Sequence, residues 1–173
     1  MRKAVLDTSS IVSLSLIGIL TKCLQIFEIT IPKAVVEELE DISSHKDVLG
    51  KATRNVLDLV KEGKITVYSV EDKGRTKGLL SSDVGLGEAE CIVCCMERRI
   101  PLLVMDDVDA MYSLEDTAIA NDIETNISVW LIAELVNNKI ITKQESVKYV
   151  KSLIKLREWE GSVLEVMVKK YLG

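Results

Sequence analysis

The chain has 173 residues, enough for one domain with a sizeable core. Hydrophobic residues make up 47% and aromatic ones only 4%, so that core is aliphatic, and no apolar run approaches the roughly 20 residues a membrane-spanning helix needs. A net charge of −5 argues against generic adhesion to nucleic acid, while leaving room for local basic patches beside an acidic site.

In chain order, Ala4, Val5 and Leu6 form an unbroken apolar run closed by Asp7. Such a run fits a strand buried on both faces at the centre of a parallel sheet. Ligands of open parallel sheets bind outside the carboxyl ends of the strands, where Asp7 lies. Asp7 also fits a second role, as part of the cap of the next helix together with Thr8 and Ser9. Residues 10–24 are apolar enough for a buried helix. Residues 28–31 form a short β-branched strand, and Pro32 stands at the start of a helix over 33–43. A helical period runs through 49–63, with Gly63 as its stop. Residues 65–70 read as a strand and the polar, glycine-bearing stretch 71–85 as a loop. A helix over 86–99 leads into a second apolar strand, 101–105, which ends at Asp106 and Asp107. Residues 108–120 read as helical, 123–127 as a strand and 128–138 as a helix. Two amphipathic helices, over 142–157 and 158–172, close the chain. Strands alternating with helices imply a parallel α/β architecture. With no repeat or linker, residues 1–173 read as a single domain. The N-terminus carries no signal-peptide pattern, so the expected location is the cytoplasm, with no membrane partner.

Three of the four cysteines, Cys91, Cys94 and Cys95, fall in one predicted helix, which suits buried small hydrophobes better than the separated ligand pairs of structural zinc. His45, among Ser43, Ser44, Lys46 and Asp47, reads as a solvated turn residue.

Helical rotation sorts the acidic clusters. Over 33–43, Val35, Val36, Leu39 and Ile42 share one arc, which Glu38 and Glu40 border, while Glu37 and Asp41 face water. Over 86–99, Glu88 falls between Ile92, Cys95 and Arg99, and Glu90 turns outward on the side of Glu97. A carboxylate aimed at the apolar side in a first helical turn needs a partner, so Glu88 suits a site as well as a cap. If the strand over 101–105 neighbours the first strand, Asp106 and Asp107 reach the same edge as Asp7. Carboxylates gathered there would repel one another without a cation, and an oxygen-only, histidine-free set points to Mg²⁺ or Mn²⁺. Lys73, Arg75 and Lys77, interleaved with Gly74 and Gly78, are the best-placed cations for RNA phosphate, on what reads as a mobile flap.

Four segments in order, VLDTS at 5–9, IPKAVVEEL at 31–39, LGEAECIVCC at 86–95 and LLVMDD at 102–107, make the chain resemble the PIN-domain family of metal-dependent ribonucleases. The likeness covers about residues 3–141, with the closing helices over about 142–172 similar to those of a subgroup close to VapC-type toxins. It implies a three-layer α/β/α fold with a central parallel sheet in strand order 3-2-1-4-5 and C-terminal helices. It further implies hydrolysis of RNA phosphodiester bonds with Mg²⁺ or Mn²⁺, a small antitoxin protein as partner, and a homodimer. Residue by residue, Asp7 matches the first family aspartate and Glu38 the glutamate of the second motif. Glu88 stands where most members have aspartate. Asp107 matches the fourth position, with Asp106 beside it as a further metal ligand and Thr8 or Ser9 as the supporting hydroxyl. Met105 replaces a serine or threonine common before the final aspartate. The alternative implied function is a catalytically weak PIN-like module that binds RNA or protein. A haloacid-dehalogenase phosphatase would need an aspartate two residues after Asp7, where Ser9 stands.

Overall fold

The structure, a computed structural model, describes residues 1–172. Its elements run β1 (Arg2–Leu6), α1 (Thr8–Leu16), α2 (Leu20–Cys23), β2 (Phe27–Pro32), α3 (Lys33–Ser43), α4 (Val48–Lys61), β3 (Thr66–Tyr68), α5 (Lys73–Leu79), α6 (Leu86–Arg98), β4 (Leu102–Val104), α7 (Val108–Ser113), α8 (Glu115–Ala120), β5 (Glu124–Asn126), α9 (Ser128–Asn137), α10 (Lys143–Leu156) and α11 (Val163–Leu172). The five strands form one parallel sheet in the order β3-β2-β1-β4-β5. This is the α/β arrangement expected from the sequence. No helix among the described residues is long and apolar enough to cross a membrane.

β1 is central because Ala4, Val5 and Leu6 carry no polar atom that either covering layer would have to satisfy, and all three are fully buried. The sheet reverses its winding at β1: β2 and β3 lie to one side, β4 and β5 to the other. That reversal opens the crevice at the carboxyl edge where such folds bind ligands. Leu6 pairs with Val104, so the residues following β1 and β4 emerge side by side. Helices α10 and α11 pack on α9. Their Val150, Leu153 and Val168, with Trp159 between them, join the same buried core.

Four predicted elements differ from those observed. The helix over 10–24 is two helices, because Gly18 takes a left-handed φ of +73° between them. Residues 71–85 are not all loop: despite Gly74 and Gly78, residues 73–79 form α5. Its first turn is capped by Asp72, which accepts from the Arg75 N–H at 2.8 Å. The Glu97 carboxylate also accepts the Glu71 and Asp72 amides. The helix over 108–120 splits into α7 and α8 at buried Leu114. The last helix starts at Val163 and not at 158, since Glu158 and Gly161 both adopt positive φ.

Candidate active site

Asp7 caps α1, the role its sequence position before a helix suggested, and stands at the carboxyl end of β1. Its Oδ1 accepts the Ser10 N–H at 2.8 Å and its Oδ2 the Ser9 hydroxyl at 2.6 Å. It is only 1% exposed. Burial pushes its carboxyl up to about 7, against the bonds from Ser9 and Ser10, and the nearby Asp106 adds to the rise.

Asp106 follows β4 and is buried beside it. Its Oδ1 accepts the Ser128 N–H at 2.7 Å, and its Oδ2 accepts the hydroxyls of Ser13, at 2.7 Å, and Ser128, at 2.8 Å. Burial raises this carboxyl too, against those bonds and the charge of Arg157. Asp107 is exposed and caps α7, accepting the Ala110 N–H on Oδ1 at 3.0 Å. The two neighbours thus differ: Asp106 is saturated and fixed, whereas Asp107 lies at the rim.

Thr8 donates from its hydroxyl to Glu38 Oε2, which ties α1 to α3. Glu38 is half-buried against the first turn of α6, where the absent side chain of Gly87 leaves it room. A Cβ on Gly87 would stand 3.0 Å from the Glu38 Cδ. Burial raises the Glu38 carboxyl, Thr8 opposes the rise, and Glu88 adds to it by like charge. Glu88 caps its own helix by accepting the Gly85 N–H at 3.1 Å. Glu40, weighed equally with Glu38 from helical phase, is exposed.

Glu90 corrects the sequence reading. Predicted to turn outward, it is 4% exposed. It accepts the Ala34 N–H at 3.1 Å and pairs with the Lys73 ammonium at 2.9 Å. α5 packs over this side of α6, and a rotation count on an isolated helix has no knowledge of that neighbour. The basic segment is altered with it: Lys73 is held by Glu90, Arg75 pairs with Asp72, and all three cations, Lys77 included, sit on a capped helix and not on a flap.

The remaining contributors were not singled out in the sequence. Ser13 shares a helix face with Ser9, four residues away, and that spacing was a legible signal. Ser128 follows β5 at the same carboxyl edge, where position alone flags it. The four cysteines are buried in the core, and Cys91 donates from Sγ to the Leu6 carbonyl. His45 is exposed.

The carboxylates form two pairs, Asp7 with Asp106 and Glu38 with Glu88, joined through Thr8 and Asp7. Among the described residues, no three His, Cys, Asp or Glu side chains converge as a ready-made metal cage. The donor chemistry nevertheless fits a hard cation. Every candidate atom is a carboxylate oxygen, and burial, with a smaller contribution from like charge, raises Asp7 and Glu38, a cost that a divalent ion would offset.

A family model described as a PIN domain matches residues 3–166. No curated protein matches the chain.

Proposed function

The chain belongs to the PIN-domain family, whose members are generally nucleases that use divalent metal ions, and from that premise we propose that it is a metal-dependent ribonuclease hydrolysing RNA phosphodiester bonds. The observation that supports this most is the continuity of the carboxylate edge. Ser9 joins Asp7 to Asp106, and Thr8 joins the same turn to Glu38 and its neighbour Glu88.

In this reading Asp7, Glu88 and Asp107 would hold Mg²⁺ or Mn²⁺, and Asp106, whose oxygens already accept from Ser13 and Ser128, would join them only by giving up one of those bonds. Asp107 is the freer of the adjacent pair, because only its Oδ1 is committed to a cap. When bound, the ion supplies positive charge toward the scissile phosphate and makes a neighbouring water more acidic. Glu38 orients that water and accepts its proton, with Thr8 fixing the carboxylate from the side of Oε2. Ser9 ties Asp7 to the backbone of Asp106, so the ligand geometry needs little reorganisation when substrate arrives.

The reading extends to a VapC-like toxin restrained by a small protein partner. Growth arrest on expression of the chain alone, relieved by the product of the adjoining gene, is the outcome it requires. The ribonuclease itself is tested with purified protein and a labelled single-stranded RNA. Cleavage in Mn²⁺, its loss in chelator and its loss in Asp7→Asn are expected. RNA that stays intact while bound to wild-type protein in Mn²⁺ would replace the enzyme by a PIN-like binding module.

A further inference from the structure

The surface charge of this chain is uneven. Lys143, Lys148, Lys151 and Lys155 against Glu145 give α10 a charge of +3, so the rest of the chain carries −8. Lys148, Lys151 and Lys155 are all exposed, and steps of three and four residues set them in one row along the helix. Glu145 is committed to the start of α10, where it accepts the Thr142 N–H at 2.7 Å.

Other helices neutralise their surface lysines locally. Lys33 pairs with Glu37, Lys61 with Asp58 and Lys169 with Glu165, each about one turn away. On α5, Lys73 pairs with Glu90 and Arg75 with Asp72. Among the described residues, Lys148, Lys151 and Lys155 enter no ion pair. Like charges at these spacings destabilise a helix, a cost that a polyanion laid along the row would turn into a gain.

The row also has a direction. α9 begins at Ser128, which holds Asp106, and α10 packs back along α9 from its far end. Lys143 lies beside Val136 and Asn137, whereas Arg157, just past α10, lies beside Ser9, Asp106 and Asp107. From Lys148 to Lys155 the helix rises about 10 Å, toward the carboxylate edge.

We infer that the RNA strand flanking the phosphate to be cut runs along α10, with its backbone phosphates on Lys155, Lys151 and Lys148. This rests on the ribonuclease reading and places the RNA contact on α10 in place of α5. A basic field confined to one helix explains how a chain of net charge −5 brings a polyanion to a cluster of carboxylates.

The test uses the full chain and a labelled single-stranded RNA in chelator, so that binding is read without cleavage. Changing Lys148, Lys151 and Lys155 together to Gln should lower the slope of log affinity against log salt by about 2, at about 0.7 for each phosphate. Changing all three to Arg should keep the slope. Removing as many charges from α5, at Lys73, Arg75 and Lys77, should leave it unchanged. Lys151→Glu places opposite charges side by side in the row, so it should melt no lower than wild type and yet bind RNA more weakly. An unchanged slope in the glutamine variant, or an equal drop in the α5 variant, overturns the proposal. So does self-association of the wild type that the glutamine variant abolishes with RNA binding intact, which would give the row to an acidic face of a second copy. Failure of the ribonuclease reading shows differently, as wild-type protein that binds RNA through the row and leaves it uncut in Mn²⁺.

Discussion

Asp7 and Asp106 are bridged by one hydroxyl: Ser9 donates to the Asp7 Oδ2 at 2.6 Å and accepts the Asp106 N–H at 3.0 Å. Two buried carboxyls from neighbouring strands are thereby held in fixed relation although their charges repel. The cost of that arrangement sets the behaviour of the metal-free protein.

Mn²⁺ should stabilise the chain, since it binds the fold and has no assembled site in the unfolded chain. At one hundred times the dissociation constant the gain is about 2.7 kcal/mol. Asp7→Asn should abolish most of it while leaving the metal-free protein as stable or more so. Thermal melts of both proteins with and without millimolar Mn²⁺ measure this, and equal shifts in the two would remove Asp7 from the metal site.

Without metal, stability should fall as pH rises. Asp7 goes from 3.8 in the unfolded chain to about 7 in the fold, so between those values the folded chain keeps a proton that the unfolded chain has lost. Stability from this group is fully present below pH 3.8 and is lost as pH climbs through about 7, at up to about 1.4 kcal/mol per pH unit. Glu38 and Asp106 are raised as well and act in the same direction. Denaturant titrations across that range in chelator check the slope, and Asp7→Asn should flatten it.

Gly87→Ala should keep the fold and damage the site. The new Cβ would press on the carboxyl end of Glu38, a side chain that can swing away but not stay beside Thr8. A displacement near 1 Å in such a group costs on the order of 10²-fold in rate. A melting temperature close to wild type with cleavage lowered by that factor is the expected result. Full activity would mean that Glu38 has no part in the chemistry.

Glu88 and Glu90 should separate function from stability. Glu88→Gln can still accept the Gly85 amide, so it should fold normally and lose metal-dependent cleavage. Glu90→Gln keeps an acceptor for the Ala34 N–H and loses only the pair with Lys73, whose side chain is 61% exposed, so the loss should stay below about 1 kcal/mol. Glu90→Ala strands that buried amide and should cost about 1–3 kcal/mol. In a chain of this size each kcal/mol lowers the melting temperature by about 2–4 °C. Loss of cleavage in Glu90→Gln with an unchanged melt would instead place Glu90 in the chemistry.

The sheet, and the strand ends at which Asp7 and Asp106 lie, were legible because they depend on local signals. An unbroken apolar run such as Ala4–Leu6 cannot face water on either side, and a carboxylate directly after it must lie at the strand's carboxyl end. The same holds for the strand before Asp106, whereas helical phase put Glu38 and Glu40 on an equal footing and only the packing of α3 beside α6 left Glu38 half-buried and Glu40 exposed. Phase failed at Glu90, where the face that is exposed on an isolated helix is covered by α5, a helix whose glycines disguise it in the sequence. It also could not rank Asp106 against Asp107, since adjacent residues share a sequence position to within one step. Their difference comes from Ser13 and Ser128, which lie 93 and 22 residues away and meet only Asp106. Arg157 is the same case at longer range, a cation on the closing helices brought to carboxylates that begin at residue 7. Burial and partnership of a charged group are properties of what packs against it, so they were decided only when distant segments closed on the same edge of the sheet.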